Sequence, residues 1–82
     1  MMNDKTSIYD INELKEGLIL SELREVADDL MDAGYNDVNQ LVGYILTGDS
    51  SYITSKNNAR NKILKYNKNE VLSAVLKDFL NK

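Results

Sequence analysis

The most concentrated acidic side chains in the sequence are Glu25, Asp28, Asp29 and Asp32. Asp28 and Asp32 are four residues apart, so a helix would carry both carboxylates on one face, where they could ligate a hard cation. Such a site needs about six oxygen ligands in a defined geometry, and the spacing of a calcium-binding loop is not present. We therefore predict a solvated acidic face, with a metal-dependent enzyme as an alternative.

The 82 residues include no cysteine, histidine, proline or tryptophan. Thiol and imidazole catalysis, zinc fingers and disulfide frameworks are thereby excluded. The stretch Gly48-Asp49-Ser50-Ser51 lacks the spaced glycines and the lysine of a phosphate-binding P-loop. We predict no catalytic residues, no metal and no cofactor. Because no long apolar run or signal-peptide pattern is present, we expect a cytoplasmic protein that does not insert into a membrane.

The charges divide unevenly along the chain, although the formal net charge is only −3. Residues 1–50 hold eleven acidic and three basic side chains, whereas residues 51–82 hold seven basic and two acidic ones. Five of the bases lie in the acid-free segment 56–68, where they could neutralise nucleic-acid phosphates. The overall pI of 4.8 is not that of a dedicated nucleic-acid binder. We keep a nucleic-acid-binding module as the alternative, and favour attraction between the two halves, within a protomer or across a dimer.

Thr6 lies in a polar N-terminal stretch, Asp4-Lys5-Thr6-Ser7-Ile8, that a kinase could bind in an extended form. Phosphorylation would add about −1.5 to −2 charges there. That charge could dock or release the N-terminal tail, near Lys5 or toward the basic segment 56–68.

Apolar residues recur at intervals of three and four along two long stretches, which is typical of amphipathic helices. The first stretch runs from Asn12, which can cap it, to Gly34. The second begins at a cap supplied by Asn36 or Asp37 and closes at Gly48. Two long helices are therefore predicted in the first part of the chain.

Shorter signals predict two further helices in the second part of the chain. A polar segment over 56–66 has a narrow apolar stripe, and Asn67 with Glu70 has the spacing of a capping box that opens a last helix. Asp37 with Gln40 shows the same spacing at the second helix. The predicted fold is all-α.

These elements predict a compact bundle of about four helices, with residues 1–11 as a flexible N-terminal tail and residues 12–82 as a single helical domain. A domain of this size gains only about 3 to 5 kcal/mol from its own core, and no disulfide can reinforce it. We therefore expect a homodimer. The residues that we predict in the core or in the dimer contact are Leu41, Val42, Ile45, Val75 and Phe79.

The middle of the chain carries a long, irregular motif. Residues 34–44 read Gly-Tyr-Asn-x-x-Asn-Gln-x-Val-Gly-Tyr, and residues 57–60 read Asn-Asn-Ala-Arg. Together these segments resemble the IreB family, small cytosolic proteins of Gram-positive bacteria. With the weaker likeness of the tail and first helix, the resemblance covers nearly the whole chain.

The resemblance implies a non-enzymatic regulator that forms helical homodimers. The named member of the family is a substrate of a transmembrane Ser/Thr kinase with extracellular cell-wall-sensing repeats, and is a negative regulator of intrinsic cephalosporin resistance. Family phosphorylation falls on threonines of the N-terminal tail, and Thr6 matches the main acceptor. Asn3 stands near the place of the family's second threonine, and Ser50 stands where the family often has proline.

The implied partners are a second copy of the chain, a Ser/Thr protein kinase and a downstream effector that the sequence does not name. Some polar residues of the family pattern are not explained by a simple core. Their side chains could bind the effector or could satisfy backbone groups at helix ends, and we favour the second role. These residues are Asn39, Gln40, Tyr44, Asn58 and Arg60.

Overall fold

The computed structural model describes residues 11–82, and within them no strand occurs. The all-α prediction is confirmed for this part of the chain. Residues 1–10, including Thr6 and most of the predicted tail, lie outside the described residues. The α-helices are α1 (Ile11–Asp32), α2 (Asp37–Thr47), α3 (Ala59–Leu64) and α4 (Lys68–Leu80), with short 3₁₀ helices at Ser50–Tyr52 and Lys56–Asn58.

Helix α1 is the element against which α2, α3 and α4 all pack. Its apolar stripe buries Ile19, Val26 and Leu30, which are spaced by seven and four residues and so lie on one face. Asn12 lies inside the first turn, so the predicted cap at Asn12 is wrong. The other helices cover the buried face of α1 and are held relative to one another through it.

Helix α2 begins and ends at the residues that the sequence indicates. Asn36 has extended φ and ψ angles of −78° and 114°, and its side-chain oxygen accepts a hydrogen bond of 2.9 Å from the Asn39 backbone N–H. Gly48 ends the helix with a left-handed φ of 73°. The predicted capping box of Asp37 with Gln40 is wrong, because Asn36 already occupies the cap position.

The third predicted helix is shorter than the segment 56–66. Asn57 and Asn58 adopt positive φ angles of 52° and 66°, which an α-helix cannot continue through. The chain therefore makes a 3₁₀ turn before α3 begins at Ala59. Asparagine is among the few residues that enter this left-handed region readily.

Helix α4 begins with the predicted capping box. The Asn67 side chain accepts from the Asn69 backbone N–H at 2.7 Å, and the Glu70 carboxylate accepts from the Asn67 backbone N–H at 3.0 Å. This prediction is confirmed. The two bonds satisfy N–H groups that the first turn of a helix leaves without intrahelical partners.

The buried core contains none of the five residues that we predicted for the core or the dimer contact. Leu41 and Ile45 pack against it half-buried, but Val42 is 49% exposed and Phe79 is 81% exposed. Interpreting Val42 and Phe79 as protomer core is therefore wrong, because they lie on outer faces of α2 and α4 that no described residue covers. The buried residues are Ile19, Val26, Leu30, Tyr44, Ile53, Ala59, Ile63, Val71 and Ala74.

Gly43 allows the 3₁₀ turn after α2 to pack directly on that helix. A Cβ atom at this position would overlap the ring of Tyr52. The Gln40 side-chain amide donates a hydrogen bond of 3.0 Å to the Tyr52 carbonyl. The close neighbour that requires a glycine at position 43 is therefore Tyr52.

We predict that Gly43→Ala lowers the free energy of unfolding by about 1 to 2 kcal/mol, since displacing the Tyr52 ring outweighs the gain in helix propensity. Gly17→Ala is the matched control, because an added Cβ in that helical glycine meets nothing within 4 Å. It should raise the stability by up to about 1 kcal/mol. Urea denaturation of both variants measures the difference, and equal changes of the same sign would contradict the packing role of Gly43.

Candidate functional site

A nearly buried carboxylate joins α1 to the segment that precedes and includes α3. Asp29 is only 7% exposed. Its two oxygens accept hydrogen bonds of 3.0 Å from the Asn57 side-chain amide and 3.1 Å from the Lys62 ammonium. The left-handed conformation of Asn57 places its amide at this carboxylate. The prediction of a solvated acidic face is therefore wrong for Asp29.

Further ion pairs extend this contact along α1. Lys62 also pairs with Glu25 at 3.1 Å, and Lys65 pairs with Glu22 at 2.6 Å. The Tyr66 hydroxyl donates a hydrogen bond to the second oxygen of Glu22. We call this set the charged seam, comprising Glu22, Glu25, Asp29, Asn57, Lys62, Lys65 and Tyr66. It shows that the acidic and basic parts of the chain attract each other within one protomer.

The seam shifts the proton affinities of its members. The Asn57 amide, opposed by partial burial and helped by Lys62, lowers the pKa of Asp29 below its ordinary 3.8. Hydrogen bonds from Lys65 and Tyr66 lower the pKa of Glu22 in the same way. The hydrogen bond to Glu22 raises the pKa of Tyr66 to about 12. These shifts favour charged carboxylates and a neutral phenol, which is the arrangement that the hydrogen bonds require.

Two further bases of the segment 56–68 donate hydrogen bonds to backbone carbonyls. The Lys56 ammonium donates to the Asp32 carbonyl at 3.3 Å, and the Arg60 guanidinium donates to the Ile53 carbonyl at 2.9 Å. Lys62 and Lys65 belong to the charged seam. The segment therefore directs much of its positive charge at its own protomer and not at an outside phosphate chain.

The polar residues of the family pattern take varied positions in the structure. Tyr44 is 4% exposed and belongs to the core. Gln40 and Arg60 each donate to a carbonyl of the connection after α2, at Tyr52 and Ile53. The Asn58 side chain accepts from the Asn61 amide at 2.8 Å.

The structure does not assemble these predicted residues into one pocket. Gln40 and Arg60 donate to adjacent carbonyls of the same connection, whereas Asn39 lies exposed in the first turn of α2 with its backbone N–H on the Asn36 cap. Sequence reasoning did not single out Asp29 as a structural carboxylate. The only signal for it was the opposite charge of residues 51–82.

The acidic cluster offers no metal site in the part of the chain that the structure describes. No group of three or more Asp, Glu, His or Cys side chains there is placed to hold an ion. Asp29, which belongs to the same acidic run of the sequence as Asp28 and Asp32, faces Asn57 and Lys62. The described carboxylates of α1 serve mainly as partners for lysines.

An apolar groove of about 410 Å³ lies between α2 and α4. Its sides are aliphatic, and several of its residues are strongly exposed, including Val38 at 62% and Leu46 at 75%. The α4 stripe continues beyond the groove through Leu76 and Phe79. We call this surface the open apolar face, comprising Val38, Leu41, Val42, Ile45, Leu46, Leu72, Val75, Leu76 and Phe79.

The helices within residues 11–82 include none that is both long enough and apolar enough to cross a membrane. Comparison with protein families gives one match that covers nearly the whole chain. The model of the family described as IreB regulatory phosphoprotein matches residues 4–81. The match includes all four α-helices and also Thr6.

We predict that Asp29→Asn lowers the free energy of unfolding by about 1 to 2 kcal/mol at neutral pH. The variant should also lose less stability than the unchanged protein when the pH is lowered. A carboxylate whose pKa is lowered by folding stabilises the protein above its unfolded pKa, and this contribution is lost as the pH falls through the folded pKa. For Asp29 the loss begins near its ordinary 3.8 and continues below it. Chemical denaturation between pH 7 and about pH 2 measures both effects.

Asp28→Asn is the matched control, because Asp28 is exposed on the same helix with no side-chain hydrogen bond or ion pair among residues 11–82. It changes the net charge equally, and it should leave nearly unaltered both the free energy of unfolding at neutral pH and the decrease of that free energy at low pH. Equal responses of the two variants would show that Asp29 does not hold α3 on α1.

Proposed function

The chain belongs to the IreB family of regulatory phosphoproteins, and on that premise we propose that it is a non-enzymatic regulator which a Ser/Thr kinase phosphorylates on Thr6. The observation that carries this proposal is the family match over residues 4–81, which includes the threonine together with the whole helical body. In the proposed reaction, the Thr6 hydroxyl attacks the γ-phosphorus of ATP. ADP leaves, and the hydroxyl proton passes to the kinase.

The position of Thr6 in the chain supports its role as the acceptor. It precedes Ile11, the first residue of α1 that the structure describes, by five positions. Kinases bind their substrate segments in extended form, and Thr6 is flanked by the polar residues Lys5 and Ser7, with the apolar Ile8 after them. The chemistry of transfer belongs to the kinase in this proposal.

The residues of the helical body support a regulatory role without catalysis of their own. Glu22 and Asp29, whose pKa values are lowered, are engaged by Lys65, Tyr66, Asn57 and Lys62. A carboxylate with a lowered pKa and satisfied oxygens is a poor general base. We therefore assign these groups to the stability of a single helical domain over residues 12–82.

We propose that the chain forms a homodimer through the open apolar face. Val42, Leu46 and Phe79 are 49%, 75% and 81% exposed, and such a contiguous aliphatic surface marks a contact with another protein. The groove between α2 and α4 can receive a ridge of the same face from a second copy. Burial of this surface would supply the stability that so small a core lacks.

The family resemblance also supports the cellular role that we propose. The chain is a cytoplasmic component of a cell-wall stress pathway and restrains intrinsic cephalosporin resistance. Phosphorylation of Thr6 changes its interaction with a downstream effector. The helical body presents the effector surface, and the kinase supplies the signal.

We predict that the cognate kinase domain with ATP adds one phosphate to the full chain at Thr6. Intact-mass measurement with fragment mapping identifies the position. Thr6→Ala should remove the modification, whereas Ser7→Ala, which deletes the neighbouring hydroxyl, should retain it. Phosphate only outside residues 1–10, or no phosphate at all, would contradict the proposal.

We predict that Val42→Asp converts the dimer into a monomer, because it places a charge on the open apolar face. Sedimentation equilibrium should give twice the chain mass of 9.3 kDa for the unchanged protein and 9.3 kDa for the variant. Leu64→Asp is the matched control, since Leu64 is equally exposed at 49% but lies on α3. A monomeric unchanged protein, or a monomer produced only by Leu64→Asp, would refute this interface.

A further inference from the structure

A polar groove of about 340 Å³ lies between the first half of α1 and α4 and is separate from both the charged seam and the open apolar face. Asn12, Lys15 and Glu16 line it from α1, and Glu70 and Lys77 line it from α4. Glu70 lies in the first turn of α4 and Lys77 in its last turn, so the groove follows most of that helix. None of the functions described above uses this groove.

Two ion pairs cross the groove, and the lysine of each pair can exchange its carboxylate partner for another anion. Lys15 pairs with Glu70 at 2.5 Å, and Lys77 pairs with Glu16 at 2.7 Å. Both lysine side chains are about half exposed, at 51% and 50%. Such solvent-exposed pairs contribute little stability, so a stronger anion can replace a carboxylate at small cost.

Glu70 retains a structural role when Lys15 leaves it. Its other carboxylate oxygen accepts a hydrogen bond of 3.0 Å from the Asn67 backbone N–H, as part of the capping box of α4. Exchange at Lys15 therefore leaves the start of α4 intact. A phosphate with several oxygens can accept from two ammonium groups at once, which a single exposed carboxylate does not do here.

We propose that this polar groove is the intramolecular binding site for the phosphate on Thr6, with the Lys15 and Lys77 ammonium groups donating to the phosphate oxygens. The inference rests on the proposed function, since it takes phosphorylated Thr6 as its ligand. The unmodified hydroxyl carries no charge and leaves both lysines on their glutamates. Phosphorylation exchanges these partners and brings the phosphate on Thr6 into the groove between α1 and α4.

Chain length restricts which lysines the phosphate can reach. Thr6 precedes Ile11 by five residues, which span about 17 Å when fully extended. Lys15 follows Ile11 by four helical residues, or about 6 Å along α1, and Lys77 lies beside Glu16 one residue further. Both lysines are well within reach in the same protomer.

The lysines of the segment 56–68 that are held on α1 lie farther along that helix. Lys62 is held at Asp29, about 27 Å beyond Ile11, and Lys56 is held at Asp32, farther still. Lys65, at Glu22, is about 16 Å along and close to the limit of a fully stretched segment. Of these three lysines only Lys65 is therefore within reach of Thr6, and the groove is the better site.

The test uses the full chain with phosphothreonine placed at position 6 by semisynthesis, so that it does not depend on any kinase. Phosphorus NMR follows the titration of the phosphate. Two neighbouring ammonium groups should lower its second pKa from about 6 by at least about 0.5, relative to a phosphorylated peptide of residues 1–10. The double variant Lys15→Gln, Lys77→Gln should return the titration to that of the peptide.

Lys56→Gln is the matched control, since it removes one positive charge beyond the reach of Thr6, and it should leave the lowered value in place. A phosphate that titrates like the peptide in the unchanged chain would overturn the assignment. The assignment would also be overturned if Lys65→Gln, and not the double variant of the groove, returned the phosphate pKa to that of the peptide. Failure of a kinase to modify Thr6 would refute the proposed function without altering this titration.

Discussion

The pairing of Asp29 is the constraint on which the arrangement of the other helices depends. A carboxylate that is only 7% exposed needs hydrogen-bond partners. Asn57 and Lys62, which come much later in the sequence, donate those hydrogen bonds. Meeting that need fixes the 3₁₀ turn and α3 along one side of α1. Helices α2 and α4 then occupy the remaining buried face of α1 and present their other apolar residues outward.

The structure thus satisfies much of its charge internally and leaves much of its aliphatic surface exposed. Lys62 and Lys65 belong to the basic segment that suggested a nucleic-acid surface, but they form ion pairs with Glu22, Glu25 and Asp29. The strongest unpartnered feature among residues 11–82 is instead the open apolar face of α2 and α4. In the function that we propose, this face binds a second copy of the chain, and phosphorylation of Thr6 supplies a charge that can be added and removed.

Features set by neighbouring residues are predictable from this sequence, and features set by distant contacts are not. The capping box of Asn67 with Glu70 and the stop at Gly48 depend on a few adjacent positions, so spacing and residue type predict them. The bond between Asp29 and Lys62 joins residues 33 positions apart, and a run of acids does not show which member will be buried. Helical spacing likewise places Phe79 on an apolar face without showing whether the protomer or a second copy covers it.

In the proposed dimer, the apolar core and the charged seam hold each protomer together, and the open apolar face joins two copies. Isotope-filtered NMR on an equal mixture of labelled and unlabelled chains detects only contacts between copies. We expect intermolecular contacts among the methyl and ring protons of Val42, Leu46, Leu72 and Phe79. Intermolecular contacts centred on α3, or none at concentrations where the chain sediments as a dimer, would contradict this expectation.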